Sequence, residues 1–333
     1  MKHLLLGTRT GLHVSDLVLG TALLGRAAGY GPDPDTAARI VRDYLDAGGN
    51  AIDTSDAYLA GESERTVGAC IRDRRDDVVL ISKYGRTPRS QPGPAASGAA
   101  RKVMVQSVEA SLRRLGTDRI DVYLLHLDDG IAPVDELARG FDDLVRAGKI
   151  VHGGVSNMPA WRAAAITATA DARGWSPIAA LQVEYSLLER TAERELLPMA
   201  RALGLGVLGY SPLASGVLTA KYRAGERGRA TERPATVFHA DDGRSTQILD
   251  AVVAVAAELA APPGQVAIAW SIAQGVFPII GPRTPEQLAD NLAAAALALS
   301  PSQLVRLDAS SRTLPGYPHE QLARHRAAHT ATA

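Results

Sequence analysis

Two kinds of segment alternate along the chain. Short runs of aliphatic and β-branched residues lie at 17–20, 51–54, 78–83, 120–126, 150–157, 180–185, 206–212 and 277–281, and each predicts a buried strand. Between them, apolar residues recur at three- to four-residue spacing over 35–47, 63–73, 99–115, 134–147, 159–173, 193–203, 246–260 and 264–274, which predicts amphipathic helices. A last helix is expected from Thr284 to about residue 297, with Thr284 as cap, Pro285 in the first turn and Gln287 three residues past the cap. Ser63 is the expected cap of the 63–73 helix. Gly48-Gly49, Gly116, Gly148 and Gly204 stand where a helix must stop in a left-handed residue before the next strand.

Strand–helix alternation implies parallel strands joined by crossover helices. Eight such units match a (β/α)8 barrel, whose usual size is about 250 residues. The expected fold class is therefore α/β, a TIM barrel forming one domain over residues 1–333. Residues 4–14, with Gly7 and Gly11, predict an N-terminal β-hairpin, and extra helices or a tail without periodic pattern follow after about residue 313. A doubly wound open sheet would need a glycine fingerprint after its first strand. Gly204-Leu-Gly206-Val-Leu-Gly209 matches that fingerprint literally, but it enters a strand instead of opening a helix. It reads as a helix stop followed by a tightly packed strand.

Composition narrows the class. Apolar residues make up 46% of the chain and aromatics 5%, so a large core must be built from small aliphatic side chains. Thirty-six Lys and Arg balance thirty-six Asp and Glu, leaving no global field to hold nucleic acid or an anionic membrane. A single cysteine, Cys70, allows no internal disulfide and fits a reducing compartment. The apolar run at the N-terminus is too short for a signal peptide, and no stretch of about 18 apolar residues occurs, so a cytoplasmic protein is expected. No Walker loop, His-Glu-x-x-His or zinc-spaced Cys/His cluster is present, and no metal site is expected. The implied partner is a small molecule.

Unusual polar residues fall at the ends of successive strands. Asp53 closes the second, with Tyr58 five residues on; Lys83 closes the third, His126 the fourth and Ser156-Asn157 the fifth. Gln182 lies within the sixth, and the seventh runs into Tyr210-Ser211. Each residue alone has a dull structural role open to it, as cap, surface charge or core histidine. Together they mark the end of a parallel barrel where active sites are built. In such a set the phenol is the natural proton donor, and a neighbouring ammonium is expected to lower its pKa from about 10. Asp53 would hold Lys83, and His126 would direct a substrate oxygen, an arrangement suited to carbonyl reduction. The hydride must come from a cofactor. Asn157 and Gln182 suit a nicotinamide carboxamide, and Tyr210 suits stacking on its ring.

The chain resembles the aldo-keto reductases, in the bacterial group that includes the potassium-channel β-subunits. The resemblance is carried by Asn50-Ala-Ile-Asp53-Thr-Ser-Asp-Ala-Tyr58, Gly61-Glu-Ser-Glu64, Ile81-Ser-Lys83, Leu112-Arg-Arg-Leu-Gly116, and Tyr123-Leu-Leu-His126. It continues through Gly154-Val-Ser156-Asn157, Gln182-Val-Glu-Tyr185, Tyr210-Ser-Pro-Leu213 and Gly281-Pro-Arg283 to Asp290-Asn291, covering residues 4–310. It implies NADPH/NADP+ bound in extended form, with Tyr58 as general acid/base, Asp53 and Lys83 tuning it, and His126 orienting the carbonyl. It places Gly20 and Thr21 by the nicotinamide ribose, and Ser156, Asn157 and Gln182 on the carboxamide. Tyr210 would stack, while Ser211, Leu213, Ser215, Gly216 and Lys221 would line the pyrophosphate. Gly281, Arg283, Gln287, Asp290 and Asn291 would hold the 2′-phosphate end, where an arginine and a helix N-terminus form an anion site.

Some positions depart from the family. Ala22 stands where a bulky or aromatic residue is common. Residues 84–100, with Arg86 and Arg89, read as a loop ordered on binding, and 223–244 as a loop over the cofactor. Charged loops, including Asp128 and Asp129, and only three Phe and three Trp favour a polar or oxygenated carbonyl substrate. The alternatives are an NAD(P)-dependent aldose dehydrogenase and a slow-turnover nucleotide-sensing accessory protein. The sequence leaves the oligomeric state open.

Overall fold

A computed structural model describes residues 1–26, 29, 31–86, 93–232 and 243–330. Residues 87–92 and 233–242, which include Arg89 and much of the expected cofactor loop, lie outside the described residues.

Eight parallel strands close into a barrel in the order β10-β3-β4-β5-β6-β7-β8-β9. They are β3 (Val18–Gly20), β4 (Ala51–Asp53), β5 (Val79–Tyr84), β6 (Ile120–Leu125), β7 (Ile150–Ser156), β8 (Ile178–Glu184), β9 (Gly206–Tyr210) and β10 (Phe277–Ile280). Each falls within two residues of the run that predicted it. The antiparallel hairpin β1 (His3–Leu5) and β2 (His13–Ser15) precedes them, as the pattern at 4–14 predicts.

The outer layer begins with α1 (Pro34–Asp46), α2 (Glu62–Ile71), α3 (Arg101–Leu115), α4 (Val134–Arg146), α5 (Ala160–Arg173) and α6 (Leu196–Leu203). A short α7 (Arg229–Glu232) is followed by α8 (Gly243–Glu258), α9 (Pro263–Ala273) and α10 (Pro285–Ala293). Thr284 caps α10 by accepting a hydrogen bond from the Gln287 amide, as expected. The chain does not end its helices there. α11 (Pro301–Ser311) opens on a capping box between Ser300 and Gln303, a signal legible in Ser300-Pro-Ser-Gln303. α12 (His319–Thr330) makes most of the expected tail helical. Ser63 is also not a cap: Gly61 takes that place, and Ser63 lies inside α2 with its hydroxyl bonded to Thr21 and Thr54.

Two apolar layers result from strand alternation. Outward-facing residues such as Leu80, Tyr84, Tyr123 and Leu125 pack under the helices. Inward-facing Val18, Ala51, Val79, Ile81, Val122, Leu124, Ala180, Leu208 and Phe277 fill the barrel, floored by Leu6 and Val14 of the hairpin. The floor leaves no room at Gly7 or Gly206: a Cβ on Gly7 would meet the Gly204 carbonyl at 2.4 Å, and one on Gly206 would meet Leu6 Cδ1 at 2.5 Å. The glycines at 204–209 are thus a helix stop and a close-packed strand. Among the described residues no single helix is long and apolar enough to cross a membrane.

Candidate active site

The barrel interior changes character toward the carboxyl ends of its strands. With a side-chain period of two, Ala51 is followed inward by Asp53, Ile81 by Lys83, Leu124 by His126, Ala180 by Gln182 and Leu208 by Tyr210. The polar layer is therefore one register step above the apolar filling, at the end of the barrel where sites are built.

Lys83 is fully buried and joins the set together. Its Nζ donates to Asp53 Oδ1 at 2.6 Å, to the Thr54 carbonyl at 2.8 Å and to the Tyr58 hydroxyl at 3.1 Å. Three donors meet three acceptors, so the ammonium is satisfied and aimed. Burial works against its charge, but Asp53 and Tyr58 outweigh burial and hold its pKa above the ordinary lysine value. Tyr58 opens a tight turn in which Leu59 and Ala60 take left-handed φ values of 51° and 54°, an unusual conformation for residues with a Cβ. His126 meets the Tyr58 ring edge-on, with centroids 5.6 Å apart and planes at 86°.

One expectation is reversed. Burial pushes the Tyr58 phenol up, and the pull of Lys83 in the other direction does not offset it. The site holds Tyr58 protonated, as a proton donor requires, instead of as a lowered-pKa phenol. His126 is likewise neutral: burial first, then the charges of Lys83 and Arg86, push its imidazolium pKa down to about 2.

Three side chains that sequence reasoning assigned to a ligand also serve the protein. Gln182 donates from Nε2 to Asp53 Oδ2 at 2.7 Å. Thr21, wholly buried, donates to the Asp53 carbonyl at 2.9 Å, and its hydroxyl lies 2.7 Å from that of Ser63. Asn157, at φ 48°, donates to the His126 carbonyl and to Ser156 Oγ and accepts from the Tyr210 hydroxyl at 2.8 Å. Ser156, Asn157, Tyr210 and His126 thus form one connected wall.

Beyond Tyr210 the backbone is bent repeatedly. Ser211, Ala214, Ser215, Gly216 and Ala220 all have positive φ, between 46° and 91°. The Tyr222 hydroxyl donates to the Ser215 carbonyl, and a Cβ on Gly216 or Gly228 would press on Lys221 Nζ at 3.2 or 2.8 Å. Such strain in non-glycine residues is characteristic of ligand clamps. Leu213 flanks this turn, near Gly264 at the start of α9. Gly281 leaves open space beside its Cα, Arg283 donates its amide to Gln287 Oε1 at 2.9 Å, and Asp290 accepts from Gln265. Asn291, the next residue of α10, is buried. β10, which leads into α10, pairs with β9 and β3, the strands that end at Tyr210 and Gly20.

The charged mouth is only partly as expected. Asp128 is buried in an ion pair with Arg162, 2.8 Å from its Nε, and Asp129 accepts from the amides of Ala99, Ile131 and Ala132. Both acids hold loops. Sequence reasoning also missed Ser55 and Asp56, although both stand inside the matched segment between Asp53 and Tyr58: the Ser55 hydroxyl lies 3.0 Å from His126 Nδ1 and 3.3 Å from Asp56 Oδ1.

The aldo/keto reductase family model matches residues 16–312. The chain belongs to the aldo/keto reductase family. It is 38% identical to YrpG, an uncharacterized oxidoreductase of Bacillus subtilis, over 90% of this chain and 92% of the relative. It is 30% identical to an aryl-alcohol dehydrogenase of Pestalotiopsis microspora over 96% and 85% of the two chains. It is 31% identical to the norsolorinic acid reductase of Aspergillus flavus over 95% and 82%. Membership in the aldo/keto reductases supports carbonyl oxidoreductase activity, and nicotinamide dinucleotides are their general cofactors.

Proposed function

We propose that this aldo/keto reductase is an NADPH-dependent carbonyl reductase in which Tyr58 gives the proton and His126 orients the substrate. The observation that carries the reading is Lys83 Nζ bonded at once to Asp53 and to the Tyr58 hydroxyl. When bound, the cofactor supplies the hydride. The chain supplies the rest. As the carbonyl oxygen becomes an alkoxide, Tyr58 passes it the phenolic proton, and the nearby Lys83 ammonium stabilises the phenolate left behind. Asp53 fixes Lys83, and the neutral His126 offers one nitrogen to the substrate oxygen.

The dinucleotide reading fits the donor set. The Gln182 carbonyl oxygen and the Ser156–Asn157 wall would meet a carboxamide, and Tyr210 a ring face. The clamp at 211–220 with Lys221 would follow a pyrophosphate. Arg283 at the start of α10 would take the 2′-phosphate, with Gln287, Asp290 and Asn291 around it.

For the substrate, a polar or oxygenated carbonyl compound is favoured by Arg86, whose charge is felt by Tyr58, His126 and Tyr210 together. A second reading, an aryl carbonyl compound, has support from Leu127, half-exposed directly after His126, and from the relative named an aryl-alcohol dehydrogenase. NADPH oxidation with matched carboxylated and uncharged aromatic aldehydes tests both. The first reading expects higher kcat/KM for the carboxylated compounds and loss of that advantage in Arg86→Ala. Absence of turnover on every carbonyl would remove the reductase reading itself.

A further inference from the structure

Behind His126 lies a row of side chains that the proton transfer from Tyr58 does not use. Ser55 and Asp56 are fully buried. The Ser55 hydroxyl accepts from the Ala57 amide at 3.2 Å, which leaves it one proton to give and one lone pair to fill. Two neighbours compete for them: His126 Nδ1 at 3.0 Å and Asp56 Oδ1 at 3.3 Å. The hydroxyl can donate to the imidazole and accept from a protonated Asp56, or accept from the imidazole and donate to an ionised one. Both arrangements satisfy the Ser55 hydroxyl, His126 Nδ1 and Asp56 Oδ1.

We propose that Asp56 is a positioning residue which, through the Ser55 hydroxyl, sets the tautomer of His126 and with it whether the site favours a carbonyl or an alcohol. This rests on His126 being the substrate's hydrogen-bond partner. With Asp56 protonated, its carboxyl donates to Ser55, Ser55 donates to Nδ1, and the imidazole proton is on Nε2, ready to donate to a carbonyl oxygen. With Asp56 ionised, its proton has moved to Ser55, the Ser55 proton to Nδ1, and the Nε2 proton has left to the pocket. Nε2 then presents a lone pair, which accepts from an alcohol hydroxyl and repels a carbonyl. One proton leaves the row in this change and no other bond is altered.

The surroundings make Asp56 able to change state. Glu64 of α2 raises its pKa and Arg114 of α3 lowers it, while Glu64 is itself paired with Arg114 at 2.6 Å and accepts from Ser82 of β5. The Tyr123 hydroxyl of β6 is buried without a partner, and burial, Asp56 and Glu64 keep it protonated far above neutrality. The Asp56 amide donates to the Lys83 carbonyl. Asp56 Oδ2 has no partner, and burial followed by the Glu64 charge pushes the Asp56 carboxyl up to about 7. His126 remains neutral over the whole neutral range, so its response there is a change of tautomer and not of charge.

The test is ¹⁵N NMR of the full chain labelled at its eight histidines, with the His126 signals identified by their loss in His126→Asn. Between pH 5.5 and 8.5 the wild-type His126 nitrogens should exchange their shift pattern from the Nε2–H to the Nδ1–H form. Ser55→Ala should abolish the exchange, and Asp56→Asn should hold one tautomer throughout. In binding, the affinity of an unreactive carbonyl compound for the oxidised-cofactor complex, relative to that of an unreactive alcohol for the reduced-cofactor complex, should fall about tenfold further across that range in wild type than in Ser55→Ala. A single tautomer in wild type at all pH values, or an exchange unchanged in Ser55→Ala, would overturn the proposal. Exchange as expected with no carbonyl turnover would instead retain the relay and remove the reductase reading, since the NMR experiment needs no substrate.

Discussion

Gln182 Nε2 and Asp53 Oδ2 are 2.7 Å apart, so the carboxylate that holds Lys83 through Oδ1 has its second oxygen committed as well. The amide reaches across from β8 to β4, on the far side of the barrel from Tyr58's turn. Hydrogen bonds to a charged group are worth about 1.5–3 kcal/mol, and a buried carboxylate oxygen left without one is costly. Gln182→Leu should lower the thermal midpoint and reduce kcat about tenfold or more by loosening Asp53 and with it Lys83. Steady-state kinetics alongside a melting curve check this; an unchanged kcat would show that Lys83 alone positions Asp53.

Tyr58→Phe keeps the ring against His126 and removes only the hydroxyl. Carbonyl reduction should fall about 10²-fold or more, the usual worth of a positioned acid. Cofactor binding, followed by quenching of protein fluorescence, should be retained. Near-normal turnover would exclude Tyr58 as donor.

Arg283→Ala should weaken NADPH roughly ten- to a hundredfold, matching the loss of about 1.5–3 kcal/mol of charge-assisted hydrogen bonding. NADH, which lacks the 2′-phosphate, should bind the variant as it binds the parent. Titration of both proteins with both cofactors decides the matter, and equal NADPH affinity would move the phosphate site elsewhere.

The two perturbed groups flanking Ser55 make opposite demands on stability. Asp56 has its pKa raised from 3.8 to about 7, so the folded state holds a proton the unfolded state releases, and stability is lost as pH rises through that window. His126 has its pKa lowered from 6.5 to about 2, so the unfolded state takes up the extra proton, and stability is gained as pH rises from 2 to 6.5. The slopes oppose each other between 3.8 and 6.5. Asp56→Asn leaves the histidine slope alone, and should gain on wild type as pH rises, by up to about 1.4 kcal/mol per pH unit. Urea midpoints measured from pH 4.5 to 7.5 test it; parallel curves for the two proteins would show that Asp56 titrates normally.

Much of this protein is written locally. The period of two in Val79-Leu-Ile-Ser-Lys83 is enough to place a strand and to put Lys83 on the same face as Ile81, because side-chain alternation follows from backbone geometry alone. Gly116 and Gly204 end helices because their left-handed φ is a property of one residue, and eight strand–helix units leave a barrel as the compact solution. Asp53, Tyr58, Lys83 and His126 could be named from their places at strand ends and from family resemblance. What they do to one another could not. The direction of the Tyr58 shift depends on how much water the fold removes, and the sequence carries no measure of that. Gln182 meets Asp53 across 129 residues, and Arg162 takes Asp128 out of the mouth, because barrel closure brings together side chains that no local pattern relates. Ser63 fails as a cap for the same reason: the fold buries its hydroxyl between Thr21 and Thr54, where two tertiary hydrogen bonds win over a local one.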